Sequence, residues 1–348
     1  MPAEWENHDA TWIGWPHNTR DWPGKFAPIP WVYGEIVRQI SAGETVRIIV
    51  DSPSHTASAR RVLSKAGINL TRVEFLRFAT DRGWTRDFGP MFVRRGRDIA
   101  INGFRFTGWG KYDNWKNDAR VHERVAGKYH LPLFHPVVGD APFVLEGGAI
   151  DVNGAGSLLT TEECLLDQTT QVRNPGRSRH DVERALRDSL GVNNVIWLGN
   201  GIAGDDTHGH VDDLARFVNR TTIVLCEEKN SADPNFRPLA ENRERLTGAR
   251  LEDGSRPDVI ALPMPDPLLF DGIRLPASYA NFYICNAAVI VPTFNDPKDR
   301  IALGILSELI SDRPVVGIHA VDLVWGFGTL HCLTQQQPST VSGDHAER

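Results

Sequence analysis

The sequence has little cysteine, and its four cysteines are too far apart for the motifs that short spacings create. Cys164, Cys226, Cys285 and Cys332 include no CxxC pair, which argues against a zinc knuckle and against a dense disulfide framework. The N-terminus lacks the basic and apolar regions of a signal peptide, and no apolar stretch approaches the length of a membrane span. We therefore expect a reducing, cytoplasmic setting.

Basic runs and interdomain linkers are also missing. The formal net charge is -6, and no run of basic residues interleaved with aromatic residues points to a nucleic-acid partner. No Pro/Gly/Ser-rich stretch or shift in composition marks a domain boundary within the 348 residues. We predict one domain over residues 1–338 and a disordered tail over residues 339–348. A homo-oligomer remains an open alternative.

What the chain does contain is a repeated pattern of β-hairpin, helix and strand. Hairpins are predicted where two β-prone runs flank turn residues: 91–101, 149–159, 215–225 and 282–291. Helical periodicity follows each hairpin, at about 117–129, 179–190, 235–247 and 298–310. We interpret this as an α/β fold in which a ββαβ unit is used about five times, in a row or in a closed ring. A doubly wound sheet is the alternative, although no glycine-rich phosphate loop follows the first strand.

Clusters of polar residues fall at the same place in each unit, just before or at the opening strand of a hairpin. The clusters are Trp84–Pro90, Leu145–Gly148, Asp205–Asp213, Ser278–Phe282 and the stretch around Cys332. Equivalent positions in a ring of repeats converge on its axis. A closed ring would therefore bring a thiol, an imidazole and several carboxylates into one pocket.

Cys332 lies in the stretch Trp325–Pro338, which we predict to be a short strand. Gly326 and Gly328 allow the backbone to approach a ligand closely. A buried core thiol is the ordinary alternative, because free cysteine is among the most buried residue types. Cys332 is favoured as a nucleophile over a buried core thiol only when the other polar clusters are considered with it.

The other clusters have ordinary readings as well. Asp87 beside Arg86 could form a structural ion pair, and Glu146 before two glycines could cap a turn. For 206–212 the functional reading is stronger, because strand alternation would place Asp206, His208, His210 and Asp212 on one face. Four ionisable groups on one face make a poor core.

One thiol, one histidine and paired carboxylates suit chemistry on a guanidinium group. Carboxylates hold its planar fork of N–H donors, and its charge persists at all relevant pH values. Because resonance makes its central carbon a poor electrophile, displacing ammonia calls for a strong nucleophile and a general acid. A thiolate and a histidine supply these, the bound cation favours the thiolate, and the face of a tryptophan such as Trp84 suits the cation.

These motifs, in this order, resemble the agmatine deiminase family, which is related to bacterial-type peptidylarginine deiminases within the guanidine-modifying superfamily. The resemblance runs from Met1–Trp5 through Trp84–Pro90, Glu146–Gly148, Gly209–Asp212 and Asn281–Tyr283 to His331–Gln336. It implies an α/β propeller with five-fold pseudosymmetry. It also implies hydrolysis of agmatine to N-carbamoylputrescine and ammonia, a step of polyamine metabolism, without metal or organic cofactor.

The resemblance also implies a role for each matched residue. Cys332 would attack the guanidinium carbon, His210 would protonate ammonia and later activate water, and Glu146 would orient and charge His210. The remaining roles are guanidinium binding by Asp87 and Asp212, lining and orientation by Trp84 and Asn281, and binding of the terminal ammonium by Asp206. Two positions depart from the family pattern: His208, where many members have aspartate or asparagine, and Gly326–Thr329, where many have a run of glycines.

Three other functions remain open on the sequence. Free arginine or peptidyl-arginine could be the substrate in place of agmatine. His208-x-His210-x-Asp212 has the alternation of a first-row metal site, so a metal-dependent hydrolase is a second reading. A repeat protein that binds a guanidinium or a polyamine without turnover is the third.

Overall fold

The computed structural model describes residues 1–340, so most of the tail predicted to be disordered lies outside the described residues. The strands are His8–Gly14 (β1), Thr45–Val50 (β2), Val73–Arg77 (β3), Met91–Arg95 (β4), Asp98–Asn102 (β5), Leu133–Phe134 (β6), Val137–Val138 (β7), Ala141–Pro142 (β8), Asp151–Val152 (β9), Ser157–Thr161 (β10), Asn194–Leu198 (β11), Ala215–Phe217 (β12), Thr222–Glu227 (β13), Asp258–Pro263 (β14), Leu269–Phe270 (β15), Ile273–Arg274 (β16), Tyr283–Ile284 (β17), Val289–Thr293 (β18), Val315–His319 (β19) and Thr334–Pro338 (β20). The α-helices are Ile29–Ser41 (α1), Pro53–Lys65 (α2), Thr85–Phe88 (α3), Val121–Tyr129 (α4), Glu162–Leu166 (α5), Arg179–Leu190 (α6), Phe236–Gly248 (α7), Asp299–Leu309 (α8) and Leu330–Leu333 (α9).

Five sheets repeat one arrangement. In the sheets β4-β5-β6, β9-β10-β11, β12-β13-β14 and β17-β18-β19, the first two strands are antiparallel and the third is parallel to the second. At least one helix connects the second strand to the third. The predicted α/β propeller of about five ββαβ units is confirmed, and the doubly wound alternative is wrong because the strands of residues 1–340 form several separate sheets.

The fifth unit of the same kind is assembled from both ends of the chain. Strand β20 pairs antiparallel with β1, with Thr11 opposite Gln336 and Trp12 opposite Gln335. Strand β1 in turn pairs in parallel with β2 across α1. The last described strand therefore completes the first sheet, which closes the ring of repeats.

The helices follow the amphipathic pattern that their sequences predict. Helix α6 begins with a capping box, in which the Ser178 hydroxyl accepts from Asp181 N–H and the Asp181 side chain accepts from Ser178 N–H. It ends at Gly191, whose φ of 69° is easily adopted without a Cβ. The face turned to the sheet buries Val182, Ala185, Leu186 and Leu190.

Aromatic residues near the N-terminus mostly pack rather than line a pocket. Trp12, Trp15 and Trp22 are buried, whereas Trp31 is 47% exposed. Trp22 packs against Trp84 with tilted ring planes at a centroid distance of 5.3 Å and therefore supports the candidate site from behind. No helix within residues 1–340 is long and apolar enough to cross a membrane.

The carboxylate of Glu4 lies at the centre of the ring and binds groups from several repeats. It accepts from Arg216 at 2.8 Å, Arg86 at 3.0 Å and His331 at 2.8 Å, and from the backbone N–H of Ile284 at 2.9 Å. Glu4 is only 4% exposed, and together the three cationic side chains hold the pKa of its carboxyl well below the ordinary range although burial alone would raise it. Arg86 thus pairs with Glu4, and no ion pair joins it to the adjacent Asp87 among the described residues.

We expect Glu4→Ala to destabilise the fold by about 3–5 kcal/mol, because removal of one partner leaves buried cations without compensation. Urea unfolding followed by circular dichroism measures this loss. Glu6→Ala is the matched control, since the half-buried Glu6 pairs with Arg94 and should contribute about 0–1 kcal/mol. Equal losses in the two variants would contradict the central role of Glu4.

Candidate active site

Five short segments, each preceding the first strand of a sheet, approach one another at the centre of the ring. They are α3 before β4, the 3-10 turn Gly147–Ala149 before β9, the 3-10 turn Val211–Asp213 before β12, residues 278–282 before β17, and α9 before β20. Residues in these segments contact one another across more than 50 positions of sequence, as in the hydrogen bond from Asn281 to Cys332. The predicted convergence of the polar clusters is therefore present in the structure.

These segments form the inner end of a cavity of about 440 Å³. Its lining is Arg20, Asp21, Pro23, Arg82, Trp84, Asp87, Trp109, Tyr112, Asp113, Asn114, Asp206, Thr207, Ile273, Trp325, Gly326, Phe327 and Cys332. Glu146, His210, Asp212 and Asn281 lie directly behind this lining and are buried. A larger depression of about 1020 Å³ lies over β5 and β6, and none of the candidate residues lines it.

Cys332 is not on a strand, as the sequence suggested, but in the helical turn α9 immediately before β20. Asn281 holds this turn, because its side-chain oxygen accepts from Thr329 Oγ1 at 2.7 Å and from His331 N–H at 3.0 Å. The Asn281 amide also donates to Cys332 Sγ at 3.1 Å. Asn281 therefore positions the thiol itself.

The thiol of Cys332 faces negative charge. Its Sγ lies 3.8 Å from Asp212 Oδ2. Burial raises the pKa of Cys332 well above the ordinary value, and Asp212, Asp213 and Asp87 raise it further. The thiol is therefore protonated at neutral pH until a cation enters the site.

His210 stands among three carboxylates without a hydrogen bond. Its Nδ1 lies 3.8 Å from Asp87 and 4.0 Å from Asp212, and its Nε2 lies 3.8 Å from Glu146. Both ring nitrogens are buried and unpaired within the described residues. Burial favours the neutral ring, but the carboxylates, led by Asp87, outweigh it and raise the pKa of His210 well above its ordinary value. His210 is therefore an imidazolium with protons available to a bound molecule.

Asp87 is fixed in place by neutral donors. Its Oδ2 accepts from Trp109 Nε1 at 2.8 Å, and its Oδ1 accepts from Gly148 N–H at 3.1 Å. The pKa of Asp87 is raised to about 6, chiefly by burial. His210 lowers this pKa, whereas the carboxylates of Asp212 and Glu146 raise it further. A cationic ligand beside such a carboxyl group stabilises its ionised form.

Glu146 has a partner that the sequence did not suggest. Arg173 is completely buried, and its Nε lies 3.1 and 3.3 Å from the two carboxylate oxygens of Glu146. Burial alone would raise the pKa of Glu146, but Arg173 and His210 lower it to about 2. Glu146 is thus a permanent anion beside His210. No sequence motif distinguishes Arg173 from a surface arginine.

Asp212 is held by His331, which also contacts Glu4. The sequence did not predict this pair of contacts. His331 Nδ1 lies 2.7 Å from Asp212 Oδ2, and His331 Nε2 lies 2.8 Å from Glu4. Carboxylates only accept, so both ring nitrogens must carry protons for both bonds to form. Burial opposes ionisation of Asp212, yet His331, followed by His210, keeps its pKa below the ordinary value. In the sequence, only the adjacency of His331 to Cys332 indicated that this histidine could lie in the site.

Gly148 has no side chain because three candidate residues occupy the space that one would need. A Cβ there would lie 2.5 Å from His210 Nδ1, 3.0 Å from Asp87 Oδ1 and 3.1 Å from Asp212 Oδ2. Real Cβ atoms essentially never approach another atom as closely as 2.5 Å, and the other two distances are tighter than most Cβ contacts. Glycine therefore permits the convergence of the imidazole and the two carboxylates.

The prediction that Asp206, His208, His210 and Asp212 share one strand face is wrong. Residues 205–210 form a loop in which His208 and Gly209 have positive φ, so alternation does not apply. His208 turns away from His210 and pairs with Asp167 at 2.8 Å. Asp206 reaches the cavity, where its carboxylate accepts from Lys111 and from the Tyr112 hydroxyl.

Two groups of side chains in residues 1–340 could hold a metal ion, and neither contains His208. They are Glu146, Cys164 and His210, and Asp212, Asp213 and Cys332, with ligand atoms within 4.8 Å of one another in each. The alternating site predicted from His208, His210 and Asp212 is therefore not formed. Cys164 was also missed by sequence reasoning and lies behind His210, next to Glu146.

Comparisons with known proteins agree with this geometry. The family model of Porphyromonas-type peptidyl-arginine deiminase matches residues 1–338. An agmatine deiminase of Stutzerimonas stutzeri is 33% identical over 97% of this chain and 95% of its own length, and one of Pseudomonas aeruginosa is also 33% identical over the same shares.

Solved structures of agmatine deiminases also resemble this chain over most of its length. Agmatine deiminase of Enterococcus faecalis, 29% identical, superposes with a TM-score of 0.90 over 98% of this chain and 96% of that chain. A cysteine-to-serine variant of C. jejuni agmatine deiminase with substrate bound, 31% identical, superposes with a TM-score of 0.85 over 97% and 95%.

The electrostatics of the cavity predict how Cys332 reacts with iodoacetamide in the ligand-free protein. The alkylation rate should rise with pH to a midpoint above about 8.5, the ordinary thiol value, because the raised pKa keeps the thiol protonated. Asp87→Asn removes a negative charge and should shift the midpoint to lower pH. Peptide mass spectrometry of Cys332 gives the rate.

Asp21→Asn is the control for this experiment. Asp21 lines the same cavity, and its carboxylate pairs with Arg82 at 2.6 Å. It is not among the carboxylates that raise the pKa of Cys332, so its loss should leave the midpoint unchanged. A wild-type midpoint at or below the ordinary thiol value would refute the assignment.

Proposed function

The chain belongs to the Porphyromonas-type peptidyl-arginine deiminase family, and we propose that it is an agmatine deiminase that works through a covalent intermediate on Cys332. The enzyme is a hydrolase of C–N bonds in linear amidines: agmatine and water give N-carbamoylputrescine and ammonia. One observation carries the proposal. The thiol of Cys332 and the carboxylate of Asp87 line the inner end of one cavity, and an imidazolium without a hydrogen bond and a second carboxylate, those of His210 and Asp212, lie directly behind them.

The guanidinium fits between Asp87 and Asp212. Asp212 Oδ1 is buried and has no hydrogen-bond partner in the described chain, and each Asp87 oxygen has one further lone pair to offer. Trp84 lines the same cavity and offers its ring face to the cation. Planar N–H donors and two carboxylates are a favourable match.

Binding of the substrate activates the nucleophile. In the free protein Asp212, Asp213 and Asp87 raise the pKa of Cys332. A guanidinium placed among these groups offsets the negative charge and lowers the pKa of the Cys332 thiol, which then loses its proton to solvent. The reactive thiolate therefore forms next to the substrate.

The reaction then proceeds in two displacements. Cys332 Sγ forms a bond to the guanidinium carbon, His210 transfers a proton to one nitrogen, and the C–N bond to that nitrogen breaks to release ammonia. The resulting thiouronium-type intermediate is attacked by a water molecule that gives a proton to His210. The C–S bond breaks while the remaining hydroxyl proton of the adduct passes to solvent, which yields the neutral carbamoyl product and regenerates the thiolate.

Glu146 keeps His210 in the form that the first displacement needs. Its permanent negative charge lies 3.8 Å from His210 Nε2 and stabilises the imidazolium. Arg173 in turn keeps Glu146 ionised. We assign Glu146 the role of orienting and charging His210.

The tail of the substrate extends toward the mouth of the cavity. There Asp206 offers a carboxylate to the terminal ammonium, in exchange for its contact with Lys111. Asn281 keeps the thiol aimed at the guanidinium carbon. We further propose that residues 1–338 form a single catalytic domain and that the enzyme acts in the cytoplasm.

Purified protein should release ammonia from agmatine, and Cys332→Ala should abolish the release. Cys285→Ala is the matched control, because Cys285 is equally buried but lies in the turn between β17 and β18, outside the cavity. EDTA should have no effect and iodoacetamide should inactivate. Loss of activity with EDTA would favour the metal-dependent reading, and binding of agmatine without ammonia release would favour the binding protein.

His210→Ala and Asp87→Ala should each lower kcat/KM by at least about a hundredfold, because each removes a proton donor or a charge partner of the transition state. Steady-state ammonia release measures this. His208→Ala is the control, since His208 lies on the same loop but pairs with Asp167. Near-normal turnover of either His210→Ala or Asp87→Ala would refute the role given to that residue.

A further inference from the structure

Phe327 has an unfavourable backbone conformation at the wall of the cavity. Its φ is 66°, in the left-handed region that residues with a Cβ adopt at a cost. It ends the 3-10 turn Leu323–Gly326, a position that glycine fills more easily. Capping of the turn therefore does not explain the phenylalanine, and its ring must contribute something else.

Phe327 lines the same cavity as Cys332. Its neighbours Gly326 and Gly328 pack directly on Trp84, since a Cβ on either would lie 2.8 Å from that ring. A Cβ on Gly328 would also lie 3.1 Å from Cys332 Sγ. Phe327 is thus the one side chain of this tripeptide that enters the cavity wall, one residue from contact with the thiol.

Other apolar residues continue this wall outward. Trp325 lies 6.1 Å from Phe327 between ring centroids, and Phe270 lies 4.5 Å from Trp325. Phe270 belongs to the β15-β16 hairpin, which also brings Ile273 to the cavity lining. We call these four residues the apolar rim.

Arg82, Asp21 and Asp206 in the cavity lining have charged partners, whereas Arg20 and Asp113 form no ion pair among the described residues. Arg82 binds Asp21 at 2.6 Å and stacks on Tyr112 at 4.1 Å. Asp206 is paired with Lys111. The rim itself offers no free donor, because Trp325 Nε1 already donates to Pro23 O at 2.9 Å. A carboxylate or peptide group brought against the rim would therefore lose water without gaining a hydrogen bond from it, whereas a methylene chain would gain apolar contact.

We propose that Phe327 is a specificity-determining residue, which admits a guanidinium on an unbranched methylene chain and excludes one whose chain carries a carboxylate or peptide group. This inference rests on the proposed function and names the substrate class within it. Agmatine has the admitted tail. Free arginine and peptidyl-arginine have the excluded one.

The test is the ratio of kcat/KM for agmatine to that for arginine, with a C-terminal arginine peptide as a third substrate. Phe327→Ala and Phe327→Gly should each lower the ratio by about tenfold or more, mainly through faster turnover of arginine. The alanine variant removes the ring and keeps a Cβ, whereas the glycine variant also frees the backbone. Phe134→Ala, an exposed aromatic residue far from this cavity, should keep the wild-type ratio.

Three outcomes would overturn the inference: an unchanged ratio in Phe327→Ala, a shift confined to Phe327→Gly, or a wild-type preference for arginine. The proposed function is judged separately, by release of ammonia from agmatine in the wild type. Calorimetry on Cys332→Ser, with and without Phe327→Ala, gives the agmatine-to-arginine affinity ratio without turnover. The same tenfold loss is expected there, and an equal ratio in both proteins would refute the role of Phe327 even in an inactive enzyme.

Discussion

The buried carboxylate of Glu4 is the interaction on which the ring and its site depend. It binds Arg86, Arg216, His331 and the backbone of Ile284 within 3.0 Å, and these come from strands β12 and β17 and from the helical turns before β4 and β20. Burying charges is costly unless each has a partner with good geometry. The cluster is therefore stable only when the repeats are in register around it.

The remaining sheet is tied to the same cluster through Arg216, whose Nε lies 3.2 Å from Asp151 at the start of β9. The cluster also reaches the reaction centre, because His331 links Glu4 to Asp212. A single connected set of charges thus closes the ring and fixes Asp212, one of the three carboxylates that raise the pKa of Cys332. Stability and chemistry share these residues, which explains why so much charge is tolerated at the centre of the fold.

The site contains several buried carboxylates and the imidazolium of His210, and some nitrogen and oxygen atoms of these charged groups make no hydrogen bond within residues 1–340 of the free protein. His210 is cationic and unpaired, and the carboxylates that raise its pKa also raise the pKa of Cys332. A guanidinium resolves this arrangement, because it neutralises the carboxylates and releases the thiol from their influence. In the proposed reaction, specificity for a cation and activation of Cys332 therefore have one physical cause.

The sequence by itself determined the repeat, the position of the polar clusters within it, and the residue types that suit a guanidinium, because alternation, helical periodicity and turn residues are local properties. It failed at residues 206–212 and at Cys332, where positive φ at His208 and the cap from Asn281 replace a strand. Only the tertiary structure decided which charges meet. Arg173, His331 and Glu4 act through partners distant in sequence, and the ring that brings them together is completed by the pairing of β20 with β1.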